Sequence, residues 1–155
     1  LAGSIKGLGA SARYVVKDGV GQQLEVKDWP ENTAFGHDEA MAFLFETVPA
    51  HVEGYRVRAV GHRVVHDGQH YAAPVRVDSD VLRTLEALIP LAHAQPDNLA
   101  PIRMLLSRIP GVPQVACFDT AFHRTQSSVE QAFALPAPIT ARGIHRYGFH
   151  GLSCE

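Results

Sequence analysis

In the stretch AVGHRVVHDG, residues 59–68, a guanidinium stands inside a run of mostly apolar residues. If the run is a strand, Gly61, Arg63 and Val65 share one face, and His62, Val64 and His66 share the other. An arginine in such a strand is costly unless an anion pairs with it. Its planar fork suits a carboxylate or a phosphate, and Val65 beside it adds an apolar patch. A small aliphatic carboxylate needs that combination. The competing role is structural, with Arg63 in a salt bridge or capping backbone carbonyls. A second stretch, QVACFDTAFH, residues 114–123, ends an apolar run on Asp119 and places His123 four residues on. Asp119 could bind a metal, orient a base or cap the following turn. In the third, RYGFHG, Gly148 and Gly151 bracket Phe149 and His150. The glycines let backbone or ligand approach closely, Phe149 can wall an apolar pocket, and His150 can donate to charge developing on a transferring group. His62, His66 and His70 have metal-ligand spacing only on a helix. On a strand, residues i and i+4 stand roughly 13 Å apart.

These groups need elements to hold them. Residues 1–26 read as short strands, SIKGLG leading into ARYVV and then QQLEV, with Asp18-Gly19 and Gly21 supplying positive-φ positions for the turn. HDEAMAFLFETV, residues 37–48, has apolar residues at helical spacing and acids in its first turn, and Pro49 marks its expected end. RVRAVGHRVVHDG, residues 56–68, reads as one strand closed by Asp67-Gly68. A helix follows, capped by Asp78 or Ser79 and ending near Pro90. The next carries a stripe of Leu99, Ile102, Leu105, Leu106 and Ile109. QVACF is a short buried strand, and a helical turn and the Pro-rich LPAPI lead to RYGFHG. Strands, helix, strand, helices, strand is the order of an α/β domain with a mixed sheet.

Composition narrows the classes. With 155 residues, 46% of them hydrophobic, the chain can bury one real core. A formal charge of -2 favours neither nucleic acid nor an anionic membrane surface as a partner. No apolar run reaches the roughly 18 residues of a membrane span, and no leader pattern opens the chain, so a reducing cytoplasm is the expectation. Cys117 and Cys154 form neither a disulfide framework nor a paired metal motif. The chain opens on Leu1 and closes on GLSCE, and it reads as a fragment.

Taken together, VGHRVVHDG, HAQPDNLAPI, VACFDTAFH and RYGFHGLS resemble the acetate kinase family of acyl kinases in order and approximate spacing. The corresponding family patterns are GHRVVHGG, LHxPxNL, FDTAFH and RYGFHGTSH. The resemblance implies a fold like that of sugar kinases, heat-shock proteins and actin, which is ribonuclease H-like, with a mixed sheet flanked by helices. Residues 1–155 are then a partial N-terminal, acyl-substrate domain. The first strand with its phosphate loop and the C-terminal nucleotide domain lie outside it. The implied reaction is reversible phosphoryl transfer between ATP and acetate or propionate, with Mg²⁺, in a cytoplasmic homodimer. By position, Arg63 matches the arginine that holds the carboxylate or phosphate, and Val65 and Phe149 match walls of the methyl pocket. Asp119 matches the residue usually assigned as catalytic acid/base, and His150 the one that stabilises the transferring phosphoryl group. The family histidine of LHxP falls on Ala94, so His93 serves in its place or the contact is lost. Asp67 replaces a glycine and Cys154 a histidine. None of the matched residues is a metal ligand. Acetate is already ionised at neutral pH and needs no general base, so Asp119 is expected to orient Mg²⁺ waters or neighbouring arginines. Half a cleft should be inactive alone. The alternatives are a non-catalytic carboxylate-binding or interaction module of the same fold, and a histidine-metal hydrolase.

Overall fold

The computed structural model describes residues 1–31 and 33–154. The chain divides into two compact units, Leu1–Arg56 and Val57–Glu155.

The first unit is an antiparallel sheet and one helix. Strands β1 (Ala2–Lys6), β2 (Arg13–Lys17) and β3 (Gln23–Asp28) pair in chain order. The β2–β3 turn is set by Asp18, whose Oδ1 accepts from the amides of Val20 and Gln22 at 2.9 Å each. Gly21 takes φ 89°, whereas Gly19 is not among the positive-φ residues and does not supply the left-handed position expected of it. Helix α1 spans His37–His51. Its first turn is closed by Glu39, whose carboxylate accepts from the Gly36 amide at 2.8 Å; the bond from its own backbone amide, then that from Gly36, holds the Glu39 pKa below its usual value. The expected stop at Pro49 is wrong: the helix passes through it and ends two residues later. A proline this close to the end removes one N–H bond in the last turn and does not break the helix. Aromatic rings fill the core. Trp29 stacks on Phe35 at 4.0 Å between ring centres, and Phe43 stands edge-on to Trp29 and to the buried Tyr14 at 5.0 Å from each.

The second unit carries the mixed sheet that the sequence predicts. Its strands are β4 (Val60–Val64), β5 (Val75–Arg76) and β6 (Gln114–Phe118), in the order β4-β6-β5. β4 runs parallel to β6, with Arg63 opposite Cys117, and β5 runs antiparallel to β6. Helices α2 (Ser79–Ala87) and α3 (Gln95–Arg108) provide the crossover that a parallel pair requires. Asp78 caps α2, accepting from the amides of Asp80 and Val81. Pro90 sits in a separate 3₁₀ turn beyond α2, residues 89–91. One sheet face is buried through Val64, Ala116 and Phe118 against Val81 and Leu85 of α2 and Leu99 and Ile102 of α3. Each fully buried Leu, Ile or Phe there contributes about 1.5–3 kcal/mol.

Two expectations are corrected in this unit. The strand expected over residues 56–68 is only five residues long. Its partner β6 has five residues, and beyond Val64 the Val65 amide turns to the Asn98 side chain at 2.8 Å. The two-residue β5 was not expected, because two residues show no periodicity. Beyond β6 come a 3₁₀ turn (Phe122–Thr125), the short helix α4 (Ala137–Thr140) and a final 3₁₀ turn (Gly151–Ser153).

Candidate active site

At the carboxyl ends of β4 and β6, where open α/β sheets place ligands, Arg63 meets Asp119. Arg63 Nε donates to both carboxylate oxygens at 3.0 and 3.1 Å, and Nη2 donates to Oδ2 at 2.5 Å. The pair is lopsided: the Asp119 side chain is 1% exposed and that of Arg63 is 59% exposed. Asp119's hydrogen bonds, then its charge, push the Arg63 pKa up, so the fork is permanently cationic. An internal carboxylate does hold Arg63, as the structural reading anticipates. It takes only the Nε–Nη2 edge, and no hydrogen bond from Nη1 is found among the described residues. Asp119 does not cap the turn after it, which has no side-chain cap.

His150 completes the group. Its Nδ1 lies 3.4 Å from Arg63 Nη2. A guanidinium cannot accept, so Nδ1 is the acceptor and a neutral His150 carries its proton on Nε2. Backbone bonds bring it there, since the Gly151 amide donates to the Asp119 carbonyl at 2.8 Å. The glycines serve protein contacts. A Cβ on Gly151 would stand 2.5 Å from the Asp119 carbonyl oxygen, and one on Gly148 would collide with the His123 ring. His123 and Gly148 also border a polar cleft of about 200 Å³ shared with Arg124 and Arg146.

The other sequence candidates divide. Phe149 is 45% exposed and stands edge-on to the buried His66 at 5.9 Å, which leaves ring surface open. Val65 is half-buried, its amide tied to Asn98. His93 lies in the exposed turn before α3, and no hydrogen bond or ion pair to its side chain is found among the described residues. Among the described residues, His62, His66 and His70 are in no group of three that could hold a metal ion. His62 Nε2 donates to Gln114 Oε1 at 2.6 Å, while His66 Nδ1 accepts from the Gly68 amide at 2.8 Å. Burial lowers the pKa of both, opposed by Gln114 at His62 and by the charge of Asp67 at His66.

Sequence reasoning missed a buried network beside the site. Asp67, fully buried, accepts from the Thr120 hydroxyl and from Arg124 Nη1 at 3.3 Å. It also missed the Asn98 contact and the bond from His123 Nε2 to the Phe149 carbonyl at 2.9 Å. Asn98 and His123 lie within the quoted stretches, but side-chain-to-backbone bonds across 26 or more residues leave no periodic signal.

Mg²⁺ prefers several hard oxygens. The described residues contain no group of three or more metal-binding side chains, and both oxygens of Asp119 already accept from Arg63. This donor set does not fit the ion, and no step is derived through it.

Comparison with known proteins bears on this site. A model of the acetokinase family matches residues 10–155. The acetate kinase of Methylocella silvestris is 46% identical over 150 residues, covering 96% of this chain and 37% of that protein. That of Rhodopseudomonas palustris strain CGA009 is 43% identical over 154 residues, covering 99% and 38%. Among solved structures, a propionate kinase from Francisella tularensis superposes with a TM-score of 0.83 at 32% identity, over 98% of this chain and 39% of that one. The Porphyromonas gingivalis acetate kinase gives 0.72 at 26%, over 97% and 45%. The shared fold is a mixed α/β arrangement with a helix-flanked mixed sheet, as expected for the actin-like class. The chain spans less than two fifths of the length of these curated relatives.

Proposed function

The chain belongs to the acetokinase family, and on that premise we propose that it forms the acyl-substrate part of an acetate or propionate kinase. The observation that carries the reading is the half-used fork of Arg63. Asp119 anchors one edge from a buried position, the other edge stays available, and His150 stands beside it. A short carboxylate fits the open edge, with Val65 and Phe149 as apolar surface for its alkyl end. One carboxylate oxygen then bonds to the γ-phosphorus of ATP as the bond to the bridging oxygen breaks, and the electron pair leaves with ADP. The chain's own residues hold the carboxylate and place charge. Asp119 orients Arg63, and Nε2–H of His150 is free to donate to an oxygen of the group in transfer. No side chain takes a proton from the acyl substrate, because none is present at neutral pH.

The same proposal covers what the family resemblance implies beyond this chain: ATP/ADP and Mg²⁺ bound by further parts, pairing of two copies, and a cytoplasmic setting. Residues 1–155 are the N-terminal acyl domain in this reading. No helix among the described residues is long and apolar enough to cross a membrane.

The test is a chimera in which this chain replaces the matched 150 residues of the Methylocella silvestris acetate kinase. Acetyl hydroxamate formation with acetate, ATP and Mg²⁺ is the expected result, with no comparable turnover from the chain alone. A folded chimera without phosphotransfer to acetate or propionate would leave the carboxylate-binding module as the better reading.

A further inference from the structure

His150 is exposed, so burial does not hold its ring against Arg63. Its backbone is at φ 58°, the only positive φ outside glycine among the described residues. A histidine stays there only when its neighbours over-determine the conformation. Three backbone tethers do so. The Gly151 amide is bonded to the Asp119 carbonyl, and the Ser153 amide donates to the His150 carbonyl at 3.0 Å. On the other side, His123 Nε2 reaches the carbonyl of Phe149, the peptide group that sets the φ of His150.

We propose that His123 is a positioning residue for His150. Of the side chains that reach this backbone, His123 holds the peptide before His150, while Cys154 Sγ reaches only the His150 carbonyl on the far side, at 3.6 Å. A carbonyl only accepts, so Nε2 of His123 carries a proton, and the bond survives whether the ring is neutral or charged. Gly148 serves the same contact, since any Cβ there would displace the His123 ring. The FDTAFH stretch thus contributes twice: Asp119 aims Arg63, and His123 aims His150 across 26 residues of sequence. The role in transfer rests on the acyl kinase reading; the tether itself does not.

The test separates the two. His123→Phe keeps a ring against Gly148 without the donor, and His123→Gln keeps a donor without the ring. In the chain itself, amide exchange at Gly151 is expected to speed up at least tenfold in the Phe variant. It should stay within threefold of the parent in the Gln variant, with melting temperatures of both close to it. In the chimera, the Phe variant should lose at least tenfold in kcat with acetate KM within twofold, and Gln should recover most of the loss. Unchanged exchange and kcat in the Phe variant, or equal damage by Gln and Phe, would overturn the proposal. So would a loss that follows the melting temperature alone. A chimera with no phosphotransfer at all counts against the acyl kinase reading, and the Gly151 exchange result then decides the tether.

Discussion

The two units bury different chemistry. Leu1–Arg56 is held by an aromatic cluster around Trp29, and its ion pairs, such as Arg13–Asp28, are exposed at the surface or only partly covered. Val57–Glu155 buries Asp67, Asp119, His62, His66, Gln95, Gln114 and Thr120 beside its apolar core. Buried polar groups are costly unless paired, and pairing restricts geometry. The second unit therefore gives up some ease of packing for fixed positions of charge, and the candidate site is found there.

The comparison is broken most sharply at Arg63. Arg63→Ala strands the buried Asp119 carboxylate, so the chimera should lose melting temperature, but the protein that remains folded should lose far more in turnover. The lost carboxylate contact should lower kcat/KM for acetate by roughly 30- to 150-fold, about 2–3 kcal/mol. Lys should rescue poorly, because it cannot donate along two edges. A large fall in melting temperature with near-normal kinetics would return Arg63 to the scaffold.

Removal of Asp67 tests the buried network directly. Asp67→Ala leaves the Thr120 O–H and Arg124 without their carboxylate acceptor, at a cost of about 1–3 kcal/mol. Urea unfolding of the chain measures it. Arg124 is 30% exposed and can turn to water, which keeps the cost below that of a stranded buried cation.

Acid should distinguish the units next. The pKa values of His62 and His66 are lowered by burial, so the unfolded chain takes up protons first as the pH falls. Stability present above about pH 6.5, the unfolded value, is lost as the pH drops toward the lowered folded values. His66→Asn keeps an acceptor for the Gly68 amide without the titration, and its melting temperature should fall less steeply between pH 7 and 5.5. The first unit has no buried histidine among its described residues. Identical pH curves for parent and variant would remove His66 from the account.

The smallest effect is expected at Tyr14. Its hydroxyl is buried with no hydrogen-bond partner among the described residues, and burial, then the charge of Glu25, raises its pKa. Tyr14→Phe should change stability by no more than about 1 kcal/mol, in either direction. Thr120→Val in the second unit, nearly the same shape, should cost more, because its hydroxyl bridges Asp67. Calorimetry of the two variants side by side checks the order.

Much of this protein follows from local sequence. The Asp78 cap, the stripe on α3, the buried β6 and the Asp18 turn arise from contacts within a few residues, and each is legible as a pattern of residue types. The motifs single out Arg63, Asp119 and His150, and these three side chains lie together in the fold. Other features were decided only by the tertiary structure. The separation of the first three strands into their own sheet, the two-residue β5 and the shortened β4 depend on which strands find each other. So does the division of labour at the site: Asp119 takes one edge of Arg63, His123 holds the Phe149 carbonyl, and Asp67 pairs with Arg124. Each joins residues 26 to 57 positions apart. Side-chain type states what a group can bond to, but only the fold determines which partner arrives within hydrogen-bond distance and which edge is left for a ligand.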